Sequence, residues 1–163
     1  MGGIDIGSGV HVLLHNTSLG MQSGLTNTLR VVLAEDNPGD VFLVRRALDA
    51  QGLSYDMLVA KDGEEALKYI AEAVDGVRRI DLMLLDLNLP RRDGTEVLTQ
   101  LRSHSGLAHV PVILLTSSDS PQDRDRCLRL GANRYFQKPS NLASFMEIGK
   151  IVSELVAESS AAP

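Results

Sequence analysis

The chain has 163 residues, enough for one domain with its own core, and carries 16 Lys and Arg against 21 Asp and Glu for a net charge of −5. That balance argues against nucleic acid and against an anionic membrane surface, and it leaves protein partners open. The one cysteine, Cys127, excludes an internal disulfide and a cysteine-rich zinc site, and no apolar run approaches the roughly 20 residues of a membrane helix. This cysteine usage fits a cytoplasmic location.

Residues 1–27 read as a flexible N-terminal extension. The stretch holds Gly2, Gly3, Gly7 and Gly9, one acid (Asp5), and no Lys or Arg, so it lacks the positive segment of a secretory signal. Met1-Gly2 begins like a myristoylation signal, but Ile6 stands where Ser or Thr belongs. Val10 to His15 is apolar enough for a short strand, and Met21 is an alternative first residue.

From there apolar runs alternate with helical patterns. Val31 to Ala34 is the first strand. Asn37 and Pro38 read as N-cap and first residue of a helix to Gln51, with Val41, Val44 and Leu48 on its apolar stripe. Asp56 to Ala60 is the second strand. Asp62 starts a helix through Ala73 that faces Ala66, Leu67 and Ile70 inward. Leu82 to Leu85 is a third, fully apolar run, which suits a strand buried on both faces. A helix follows from about Thr95 to His104. Pro111 opens the fourth strand. Ser118 to Leu130 is a helical segment with a thin apolar stripe, held by Cys127, Leu128 and Leu130, and such a segment is free to shift. Tyr135 and Phe136 form a short fifth strand. Leu142 to Val156 is the last helix, and residues 159–163 are a fraying tail.

The ends of these strands carry the chemistry. The first run ends in Glu35-Asp36, the third in Asp86, the fourth in Thr116, the fifth in Lys138. Each residue alone has an ordinary explanation: Asp ends many turns, Thr suits strands, and a lone lysine is most often surface. Parallel neighbours would gather all five at one sheet edge, where open α/β sheets place their ligands. Three carboxylates so close repel one another and call for a cation. An all-oxygen set without sulphur or imidazole suits Mg²⁺.

On these residues the chain resembles the receiver domains of two-component response regulators. The likeness rests on Glu35-Asp36, Asp86, Thr116 and Lys138-Pro139, framed by Leu85-Asp86-Leu87-Asn88-Leu89-Pro90, Asp93-Gly94 and Gly131-Ala132-Asn133. It covers roughly Leu29 to Ala157. The text from Glu35 to Asp40, with Asp86 to Pro90, is most similar to stand-alone receivers paired with phytochrome-type kinases. The resemblance implies a flavodoxin-like (βα)5 sandwich over residues 28–158, with a parallel five-stranded sheet in the order 2-1-3-4-5. It implies Asp86 as phosphoacceptor, and Glu35, Asp36, Asp86 and the Asn88 carbonyl around Mg²⁺. Lys138 and Thr116 would bind phosphoryl oxygens, the Lys138–Pro139 bond would be cis, and Thr116 and Tyr135 would form a switch.

The four histidines, His11, His15, His104 and His109, lie outside this set, so the phosphodonor histidine belongs to a partner. That partner is expected to be a sensor histidine kinase, phytochrome-like by resemblance. Output is expected through protein contact, with a homodimer through the fourth and fifth helical face, and without DNA. A phosphorelay intermediate or phosphate sink is the alternative. An aspartyl-nucleophile phosphatase is a weaker one, since haloacid-dehalogenase-like enzymes want a second Asp two places on and Asn88 stands there. The protein is therefore expected to be a phosphoacceptor rather than an enzyme, apart from self-phosphorylation and autodephosphorylation.

Overall fold

The computed structural model describes residues 27–162. The expectations for Val10 to His15 and for Met21 lie outside the described residues. The elements are β1 (Leu29–Ala34), α1 (Pro38–Ala50), β2 (Tyr55–Ala60), α2 (Gly63–Val74), β3 (Leu82–Asp86), α3 (Gly94–Ser103), β4 (Val112–Thr116), α4 (Pro121–Arg129), β5 (Arg134–Gln137), α5 (Leu142–Phe145) and α6 (Glu147–Ala161). The strands form one parallel sheet in the order β2-β1-β3-β4-β5, flanked by helices on both faces as in the flavodoxin-like receiver fold.

Why the central strands are apolar throughout follows from this layering. Successive residues of a strand point to opposite faces, and here both faces are covered. Val32, Met83, Leu85 and Leu114 pack with α2, α3 and Cys127 of α4. Val31, Leu33, Leu82, Leu84, Ile113 and Leu115 pack on the other side, with α1, Phe145 of α5 and α6. Among the described residues no helix is long and apolar enough to cross a membrane.

Side-chain caps set where the helices begin. The Asn37 carboxamide accepts from the Gly39 and Asp40 N–H groups, with Pro38 in the first turn. Asp62 accepts from Glu65 N–H, Ser120 from Asp123 N–H. Each satisfies a backbone donor that the helix itself cannot. The closing helical segment differs from the single helix expected. It is divided at Met146, and its second part runs to Ala161, into the stretch read as a tail. The Ser159 and Ser160 hydroxyls donate to the carbonyls of Leu155 and Val156 there.

Asp93 caps α3 and yields a prediction. Its carboxylate accepts from the Thr95 and Glu96 N–H groups. The Thr95 hydroxyl bond, aided by these N–H groups and opposed by partial burial, holds its pKa below the ordinary 3.8. A depressed carboxylate contributes stability above its unfolded pKa, and that contribution disappears as pH falls through the folded value. Asp93→Ala should therefore cost about 1 kcal/mol at neutral pH. The gap from wild type should close below about pH 4 in urea unfolding. A gap that stays constant well below that pH would show that the charge contributes nothing.

Candidate functional site

The parallel register delivers the expected residues to one edge. Ala34 lies opposite Leu85, Asp86 opposite Leu115, and Thr116 opposite Gln137. Glu35 and Lys138 are the next residues along β1 and β5. Their backbones still extend the ladders: Glu35 N–H bonds the Ala60 carbonyl at 2.9 Å, and Lys138 N–H bonds the Thr116 carbonyl at 2.7 Å. The N-terminus of α3 closes on the end of β3. A Cβ added at Gly94 would collide with the Asp86 carbonyl, so only glycine lets the two backbones approach this closely.

At the centre lies the Lys138 ammonium, its side chain 9% exposed. It donates to Glu35 Oε2 at 2.6 Å, Asp86 Oδ2 at 2.7 Å and Asp40 Oδ2 at 2.8 Å. The other Glu35 oxygen accepts the Asn37 N–H at 3.0 Å, and the other Asp86 oxygen accepts the Asn88 N–H at 2.9 Å. Glu35 and Asp86 are buried, while Asp36 and Asn88 are exposed. Burial pushes the Glu35 carboxyl up to about 7, against the opposing pull of Lys138 and the Asn37 N–H. Burial acts on Lys138 in the direction of a lower pKa, but its bonds to Asp40, Asp86 and Glu35 outweigh this and hold it above its ordinary value.

Carboxylate oxygens of Glu35, Asp36 and Asp86 lie within 4.8 Å of one another. This is an acidic cluster able to coordinate a divalent metal, and its donors are all hard oxygens, as Mg²⁺ or Mn²⁺ requires. Thr116 is fully buried at the end of β4, its hydroxyl accepting from Ser118 N–H at 3.0 Å. Tyr135 is half-buried on the α2–α3 side, and its hydroxyl donates to the Ser118 carbonyl at 3.1 Å. The Ser118 hydroxyl in turn reaches Asp123 of α4 at 2.9 Å. A chain of contacts thus joins Thr116 to Tyr135 and α4.

Two points depart from the sequence reading. The described residues contain no cis peptide bond, so Lys138–Pro139 is trans. The lysine is aimed by other means: its N–H bonds β4, and its long side chain reaches the carboxylates from there. The second point is Asp40, which the sequence reading left out of the site. It stood within the text that carries the family likeness, but its own position, in the first turn of a helix, is ordinarily a response to the helix dipole.

A buried aspartate at the end of β3, a lysine pointed at it and an acidic cluster beside it define a phosphoacceptor domain of the response-regulator class. The response regulator receiver domain family matches residues 31–149, and the chain belongs to that family. Response regulator Rcp1 from Synechocystis sp. is 31% identical over 120 residues, which are 72% of this chain and 82% of Rcp1. The solved structure of the phosphorylated cyanobacterial phytochrome response regulator RcpA is 34% identical, with a TM-score of 0.73 over 83% of this chain and 97% of RcpA. The Mn²⁺-bound form of response regulator Rcp1 is 30% identical, with a TM-score of 0.72 over 78% of this chain and 94% of that one.

Proposed function

We propose that the domain accepts a phosphoryl group from the phosphohistidine of a sensor histidine kinase onto Asp86 and signals through a changed surface. The observation that carries this is the placement of Lys138 Nζ 2.7 Å from Asp86 Oδ2, beside the Glu35–Asp36 pair. An Asp86 oxygen attacks phosphorus, the P–N bond of the donor breaks, and the imidazole leaves with a proton. Mg²⁺, when bound, neutralises charge on the transferring group. Glu35, Asp36 and Asp86 would hold it, with the Asn88 carbonyl. Lys138 then pairs with a phosphoryl oxygen in place of an Asp86 oxygen, and the Thr116 hydroxyl, released from Ser118, donates to another. The likeness to RcpA and Rcp1 favours a phytochrome-type kinase as donor.

Output follows from the Thr116–Ser118–Tyr135 contacts. Drawing the Thr116 hydroxyl toward the phosphoryl group gives up its bond to Ser118 and loosens the loop that Tyr135 holds. The neighbouring α4 buries only Cys127 and leaves Leu128 exposed, so few contacts resist its shift. The face of α4 and the last helical segment is therefore the proposed surface for self-association or for a partner, by protein contact rather than DNA.

The test is intact-mass measurement after incubation with acetyl phosphate and Mg²⁺. Wild type should gain one phosphoryl group, lost again in Asp86→Asn and withheld by a chelator. A phosphoryl group on Asp86→Asn would move the acceptor elsewhere.

A further inference from the structure

Lys138 has three N–H donors, and three different carboxylates take them: Glu35, Asp86 and Asp40. Only the first two belong to the cluster with metal-binding geometry. On each of these two, one oxygen is already engaged by a backbone N–H, from Asn37 or Asn88. The second oxygen of each, Glu35 Oε2 and Asp86 Oδ2, is the atom on Lys138, so a cation that binds either carboxylate shares it with the lysine. A divalent ion therefore competes with the lysine for two of its three partners. Asp40 stands outside that competition. It sits in the first turn of α1, where the Asn37 cap fixes the backbone.

We propose that Asp40 is a positioning residue that keeps the Lys138 ammonium over the pocket when a divalent cation takes Glu35 and Asp86. The inference rests on the phosphoacceptor reading of the site. A lysine on a flexible four-carbon stem, deprived of both partners and pushed by the cation's charge, would swing out to water. The Asp40 carboxylate supplies a fixed counter-charge on a different element. It leaves the other ammonium N–H groups free for a phosphoryl oxygen.

The experiment reads the order of the Lys138 ammonium by ¹⁵N relaxation, with and without saturating Mg²⁺, in wild type and Asp40→Asn. Lys61, Lys68 and Lys150 are exposed, so one restrained ammonium signal belongs to Lys138. Wild type should remain restrained in both conditions. Asp40→Asn should be restrained without Mg²⁺ and mobile with it, and Asp40→Glu should recover part of the restraint. The maximal rate of Asp86 phosphorylation by acetyl phosphate should fall roughly 10- to 100-fold in Asp40→Asn, as misplacement of one catalytic group does. If wild type takes up phosphoryl and Asp40→Asn keeps a restrained lysine at saturating Mg²⁺, the inference fails and the phosphoacceptor reading survives. If wild type never gains phosphoryl on Asp86, both fail.

Discussion

Lys138→Met should lower the stability of the metal-free protein by about 3–5 kcal/mol, the usual cost of removing one partner from a buried ion pair. The side chains of Glu35 and Asp86 are 0% and 6% exposed, and among the described residues the lysine is the one cation bonded to both. Without it, two buried carboxyl groups face each other with no counter-charge, and Glu35 is driven further toward its protonated form. A divalent cation should then restore most of the loss, because the proposed metal site shares these two carboxylates. Mg²⁺ at a hundredfold excess over its Kd adds about 2.7 kcal/mol to any protein that binds it only when folded. The variant should bind it more tightly than wild type, where the ammonium competes. Urea unfolding with Mg²⁺ and with chelator measures both effects. Equal stability of the two metal-free proteins, or a smaller Mg²⁺ response in the variant, would show that Lys138 does not neutralise the pocket.

Much of this pocket could be read before the fold was known, for a physical reason. In a parallel sheet every strand ends at the same edge, so a carboxylate, hydroxyl or amine that follows an apolar run is placed by topology alone. Glu35, Asp86, Thr116 and Lys138 were legible in that way. Asp40 was not, because it lies on a helix. Whether a first-turn acid faces water or a lysine nearly a hundred residues away depends on how α1 is docked by Val44, Ala47 and Leu48. The trans Lys138–Pro139 bond was not legible either. Proline narrows the preference between the two isomers to under about 1 kcal/mol, and local context decides. The last helical segment outran its apolar stripe, and the exposed turn it adds, where Ser159 and Ser160 bond back to the Leu155 and Val156 carbonyls, carries no apolar pattern to mark it.

Asp36→Ala should separate metal binding from folding. Asp36 is exposed, and no bond to Lys138 ties it into the buried ion pairs that hold Glu35 and Asp86. Removing it leaves the core and those pairs intact, so the metal-free stability should change by no more than about 0.5 kcal/mol, as for most surface substitutions. Metal affinity is a different matter. Asp36 contributes one of the three carboxylates whose oxygens converge within 4.8 Å, and it is the one left free of the lysine. A cation arriving at the pocket meets this carboxylate unhindered, while Glu35 and Asp86 already hold Lys138. Loss of an outer partner of a metal ligand already costs roughly 10- to 100-fold in affinity, so loss of Asp36, a direct ligand in the proposed site, should cost at least the upper figure. Phosphorylation by acetyl phosphate should collapse at Mg²⁺ concentrations that just saturate wild type, and recover in part as Mg²⁺ is raised. Calorimetric titration with Mg²⁺, beside urea unfolding of the same variant, checks the two halves. A variant that binds Mg²⁺ as wild type does would move the metal away from the end of β1. One that loses stability in step with affinity would make Asp36 part of the fold rather than of the site.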